Sequence, residues 1–127
     1  MREAANLILM NRDFRALCIQ PDAYKNSLCN ITKCKLFVNE EQGRLRFTIT
    51  SSRFLRGMVR LCVFFLMEVG RGAISLEDFD KILKQEKDIK MKRALPNGLF
   101  LSKIEYPFVK FKESHLLIKM LKMGLEE

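Results

Sequence analysis

No apolar run in this 127-residue sequence is longer than the seven residues 61–67, far short of a bilayer span, and no secretory signal precedes its cysteines. Histidine occurs once, at His115, distant from Cys18, Cys29, Cys34 and Cys62. Only Cys29 and Cys34 are close in sequence, and their four-residue gap lacks the second pair that a zinc site needs. The four thiols therefore read as small buried hydrophobes, reduced in a cytosolic protein, with no metal or disulfide framework. No Gly/Ser-rich or Pro-rich linker, repeat or low-complexity segment divides the chain. These absences leave one folded unit, residues 1–112, and a C-terminal helical extension, residues 113–127.

Hydrophobic residues make up 48% of the chain, which excludes a disordered polyelectrolyte. Twenty-three Lys and Arg against fifteen Asp and Glu give a net charge of +8. A surface of that sign attracts polyanions, so nucleic acid is the first partner to consider, and no membrane partner is expected.

Hydrophobic period supplies the elements. A short helix is expected over 3–10, then a capped turn at Asp13 leading through Phe14, Ala16 and Leu17, broken at Pro21. The β-branched and aromatic content of 27–38 favours a strand, in which Lys33 and Lys35 share a face with Ile31 and Phe37. Glu41-Gln42-Gly43 supplies a turn into a second strand, where Leu45, Phe47 and Ile49 alternate with Arg44 and Arg46. Residues 53–69 have the strongest helical pattern, with Ser51 or Ser52 as cap and Gly70 as a left-handed stop. Another helix begins at Ser75, placing Leu76, Phe79, Ile82 and Leu83 on one side, and gives way to the basic stretch 84–93. A strand over 99–111 and a helix over 113–123 complete the chain. Hairpin rather than βαβ connections indicate an α+β class, an antiparallel sheet packed against helices.

Arg53, Arg56 and Arg60, at i, i+3 and i+7, would line one stripe near the start of the long helix. Cations there oppose the helix dipole by about 0.3–1 kcal/mol each, so an external anion would compensate them; the alternative is a plain solvated face.

The segments Phe54-Leu55-Arg56-Gly57-Met58-Val59-Arg60, Met67-Glu68-Val69-Gly70-Arg71-Gly72 and Ala94-Leu95-Pro96-Asn97-Gly98-Leu99-Phe100-Leu101 occur in order. They closely resemble the C-terminal half of the tRNA pseudouridine synthase A family, with its Phe-x-x-x-Met-Val-Arg helix, Glu-Val-Gly-x-Gly helix end and Gly-Leu-Tyr-Leu strand. Arg12-Asp13-Phe14 is similar to the family's His-Asp-Phe segment, with Arg replacing His. The resemblance covers residues 1–106, and ordered segments are more specific than any single one.

That resemblance implies half of a pseudouridine synthase fold and isomerisation of uridine to pseudouridine in the anticodon arm of tRNA, without metal or organic cofactor. In the family the essential Asp lies in a Gly-Arg-Thr-Asp loop of the N-terminal half, and these 127 residues contain no such loop. The resemblance therefore also implies a partner, the missing N-terminal half, and an inactive fragment that forms one wall of the active-site and RNA-binding cleft. Carried over by position, Arg60 matches the Arg that pairs with the catalytic Asp, and Leu99 the Leu that packs on the target base. Phe100 stands where the family has Tyr and lacks its hydroxyl.

Arg44, Arg46, Arg53, Arg56 and Arg71 are the candidate contacts to RNA phosphates, whereas Lys84, Lys87 and Lys90, interrupted by acids, read as a solubilising surface. Two rival readings stay open: a non-enzymatic basic RNA-binding module derived from such an enzyme, and a structural oligomerisation domain, such as a homodimer, using the final helix.

Overall fold

A computed structural model of the chain describes residues 1–108. Its architecture is α+β, as expected: helix α1 (Arg2–Met10), strands β1 (Ile31–Asn39) and β2 (Arg44–Ser51), and helices α2 (Met58–Gly70) and α3 (Leu76–Leu83). The two strands form a hairpin, and short 3₁₀ turns occupy Arg15–Leu17, Pro21–Ala23 and Pro96–Gly98. The chain divides into two compact units. The first joins Met1–Leu36 to Phe47–Pro96; the second contains, among the described residues, Phe37–Arg46 and 97–108.

The core lies in the first unit. Ala4, Ala5 and Ile8 of α1 meet Leu61, Cys62, Phe65 and Leu66 of α2 and Phe79, Ile82 and Leu83 of α3, with Phe14 and Leu17 closing one side. The Phe65 and Phe79 rings stack at 5.3 Å between centroids, so the α2–α3 contact is an aromatic one. From the hairpin, Ile31 and Cys34 are buried while Phe47 and Ile49 pack on the same core. All four cysteines are buried, as the sequence implied, and free.

Local chemistry explains the elements that formed where expected. Ser75 Oγ accepts the Asp78 N–H at 3.0 Å, and Glu77 and Asp78 occupy the first turn of α3, where acidic groups favour the helix dipole. In the hairpin turn Gly43 takes φ +58°, and Asn39 Oδ1 accepts the Gln42 N–H. Asp13 Oδ1 accepts the Arg15 N–H and so caps the following turn.

Five expectations are corrected. Helix α2 begins at Met58, not at 53, because Gly57 adopts φ +73° and Arg56 is already committed elsewhere: its N–H donates to the Tyr24 hydroxyl, and its carbonyl accepts the Ile19 N–H, each at 2.9 Å. Arg53 and Arg56 therefore precede the helix, and the predicted three-arginine stripe does not form. Neither serine caps α2: Ser51 Oγ accepts the Arg53 N–H at 3.4 Å, and Ser52 pairs with Asn30, donating its N–H to the Asn30 carbonyl and accepting the Asn30 N–H on Oγ. Gly70 is the last helical residue rather than a left-handed stop. A Cβ there would approach Met1 Cγ and Sδ at 2.6 Å, so close passage of the N-terminus explains the glycine, while Gly72 carries the positive φ.

Residues 99–105 do not form the expected strand, and Tyr106 makes only an isolated bridge. Among the described residues the sheet has two strands. The remainder of that strand, the final helix and the 112/113 boundary lie outside the described residues.

Candidate functional site

Arg60 sits in the first turn of α2, half-buried, with no acidic residue beside it in that turn. Its Nε donates to the Ala94 carbonyl at 2.6 Å, and the Ala94 N–H donates back to the Arg60 carbonyl at 3.2 Å. One residue of the chain leading out of α3 is thus tied at both backbone groups to one residue of α2. No carboxylate among the described residues pairs with Arg60.

Several carboxylates of the first unit have other partners. Asp22 pairs with Arg15 at 2.6 Å, Asp80 with Lys84 at 2.6 Å and Asp78 with Lys87 at 2.8 Å. Lys87 also lowers the Asp78 pKa, chiefly by donating a hydrogen bond to its charged form. Asp13 accepts hydrogen bonds from Ser27, from the Arg15 N–H and from Gln85, and the Ser27 bond does most to lower its pKa.

Arg53 and Arg56 lie in the loop ahead of α2. The Arg53 guanidinium stands 5.4 Å from the centroid of the Tyr24 ring and donates to Asn26 Oδ1 at 3.3 Å and the Asn26 carbonyl at 3.2 Å. Arg56 Nη1 donates to Gln20 Oε1 at 2.7 Å. Both guanidinium groups are held by neutral oxygens, which orient them without cancelling their charge. The Arg93 side chain passes nearby, its Cδ 3.7 Å from the position a Gly57 Cβ would take. Arg53 and Arg56 are thus oriented cations just ahead of the positive end of α2, a setting that attracts anions.

The other predicted residues are placed differently. Arg71 forms an ion pair with Glu68, so its charge is already matched. Arg44 and Arg46 belong to the second unit, where the Arg46 guanidinium covers the Phe37 ring at 4.5 Å from its centroid. Leu99, also in that unit, is 48% exposed within a run of exposed apolar residues that includes Phe100, Leu101 and Ile104. Lys84 and Lys87 are internally paired, in keeping with their reading as surface charge.

Burial pushes the Cys34 thiol up to about 11 and the fully buried Cys62 thiol up further. Among the described residues no group of three or more His, Cys, Asp or Glu could hold a metal ion, and no helix is long and apolar enough to cross a membrane. Sequence reasoning missed Tyr24, Gln20 and Ala94. Ala94 contributes only backbone atoms, and the Tyr24–Arg56 bond spans 32 residues.

A family model described as tRNA pseudouridine synthase matches residues 4–107. Among curated relatives, a protein from Azobacteroides pseudotrichonymphae is 37% identical over 113 residues, covering 88% of this chain and 45% of its own length. One from Bacteroides fragilis is 39% identical over 108 residues, covering 84% and 42%. One from Methanosphaera stadtmanae is 40% identical over 93 residues, covering 71% and 33%. All three are named tRNA pseudouridine synthase A. The chain spans less than half the length of these relatives. No solved structure is a significant match.

Proposed function

Because the chain belongs to the tRNA pseudouridine synthase family, we propose that it forms one wall of the active-site and RNA-binding cleft of an enzyme isomerising uridine to pseudouridine in the anticodon arm of tRNA. The reaction breaks the bond from the ribose carbon to N1 of uracil and rejoins that carbon to C5, and it needs an aimed, ionised carboxylate. Arg60 is the group that receives this carboxylate, an Asp supplied by the N-terminal half. A guanidinium in a partly desolvated site holds a carboxylate ionised and oriented through paired hydrogen bonds. The observation that carries the reading is the acid-free Arg60, half-buried and held through Nε.

Leu99 packs on the target base, excluding water from its face. Arg53 and Arg56 contact RNA phosphates, as do Arg44 and Arg46; Arg71, paired with Glu68, contributes less. No cofactor takes part, the setting is the cytoplasm, and the 127-residue chain alone is inactive.

Tritium release from tRNA labelled at uracil C5 tests this. The chain alone should release none. The chain joined to the N-terminal half of the Bacteroides fragilis relative should release tritium, and Arg60→Ala should then abolish turnover while tRNA affinity changes little. Turnover by the chain alone, or equal losses of turnover and affinity in Arg60→Ala, would refute the assignment. Steeply salt-dependent tRNA binding without turnover in the joined protein would favour the RNA-binding module instead.

A further inference from the structure

We infer that the Ala94 peptide is a positioning element which restricts Arg60 to receiving its carboxylate end-on, through Nη1 and Nη2. The inference rests on the proposed pairing of Arg60 with a catalytic Asp and adds the geometry of that pairing.

A guanidinium offers a carboxylate two kinds of paired edge: the end, made of Nη1 and Nη2, and the side that includes the Nε hydrogen. In this chain the Nε hydrogen is committed to the Ala94 carbonyl at 2.6 Å. The side-on edge is therefore occupied, and the end-on edge is the one left for a bidentate partner. A single hydrogen bond would still allow the side chain to swing about its acceptor. Here the Ala94 N–H also binds the Arg60 carbonyl at 3.2 Å, so the acceptor is itself anchored to the residue it orients.

The adjoining chain is fixed as well. Arg93 passes beside Gly57, the residue that opens α2, and Ile89 packs on the core. Residues 84–94 thus have a structural task besides bearing charge: they deliver a carbonyl to Arg60. Such preorganisation acts on turnover more than on affinity, because misorienting one partner of the reacting carboxylate leaves the many phosphate contacts intact.

The first test needs only the 127-residue chain. Its ¹⁵N spectrum should contain one arginine Nε–H, assigned to Arg60 by its disappearance in Arg60→Lys, that exchanges with water slowly and loses this protection in Ala94→Pro, which cannot donate back to Arg60. An Arg60 Nε–H exchanging as fast as free arginine overturns the inference. The second test uses the enzyme completed by an N-terminal half. Replacing Leu95 by its hydroxy-acid counterpart turns the Ala94 carbonyl into an ester, a poorer acceptor, without altering any side chain. We expect this change to lower kcat about tenfold while KM for tRNA stays within about twofold. Unchanged kcat in the ester protein, with Arg60→Ala inactive, refutes the positioning role alone. Unchanged turnover in Arg60→Ala refutes the underlying pairing.

Discussion

The Tyr24 hydroxyl accepts the backbone N–H of Arg56 at 2.9 Å, and this contact holds the loop ahead of α2 in place. Arg56 is exposed, so water replaces part of the bond when it is lost. Tyr24→Phe should therefore cost about 1 kcal/mol, read as a lower urea midpoint at unchanged slope. The ring remains to pack against Arg53, so Tyr24→Ala should cost more. Equal stabilities of Tyr24→Phe and the parent chain would show that the hydroxyl contributes nothing.

Gly57 makes the same junction depend on backbone conformation. Its φ is +73°, and a Cβ would approach Ile19 Cδ1 at 2.3 Å. The left-handed conformation alone costs a side-chain-bearing residue about 1–2 kcal/mol, and moving Ile19 adds to it. Gly57→Ala should thus destabilise the chain by more than Tyr24→Phe in the same urea titration.

These two contacts also mark how far the sequence was legible. Ser75 and Asp78, or Asn39 and Gly43, sit three or four residues apart, so the start of α3 and the hairpin turn are written locally. The start of α2 is not, because Tyr24 and Ile19 engage the N–H and the carbonyl of Arg56 from more than thirty residues away, and hydrophobic period carries no trace of those bonds. Residues 99–105 show the opposite failure: they alternate as a strand would yet form none, because alternation encodes which face is apolar and not which strand it pairs with. The family resemblance pointed to Arg60, whereas the carbonyl that its Nε binds belongs to an alanine, which residue type does not mark.

Acid should remove the contribution of Asp13. Hydrogen bonds from Ser27, Arg15 and Gln85 favour its ionised form, so its folded pKa lies below the ordinary value of 3.8. A depressed carboxylate pKa stabilises the fold fully above the unfolded value, and that stability disappears as pH falls through the folded one. Urea midpoints of the parent chain and Asp13→Asn should therefore differ at pH 6 and draw together as pH falls below the ordinary value of 3.8. A constant difference across that range would mean that Asp13 acts through shape rather than charge.

The thiols should be silent in the native chain. With Cys34 near 11, about one molecule in a thousand carries its thiolate at pH 8, and Cys62 is still less reactive. Burial blocks approach of a reagent to all four cysteines. Ellman's reagent should accordingly label none rapidly at pH 8 and all four in urea. Rapid labelling of one thiol without denaturant would identify a cysteine that the fold leaves open.

The arginines should separate by their partners. Arg53 and Arg56 are oriented by neutral oxygens and keep a full charge for an incoming phosphate, whereas Arg71 would first have to leave Glu68. Each phosphate contact releases condensed counterions, so losing one should reduce the slope of log Kd against log salt by about one unit. Arg53→Ala and Arg56→Ala should each do so in tRNA titrations with this chain, while Arg71→Ala should leave the slope near the parent value. Similar slopes for all three variants would indicate that bulk positive charge, rather than these oriented groups, draws the RNA to the surface.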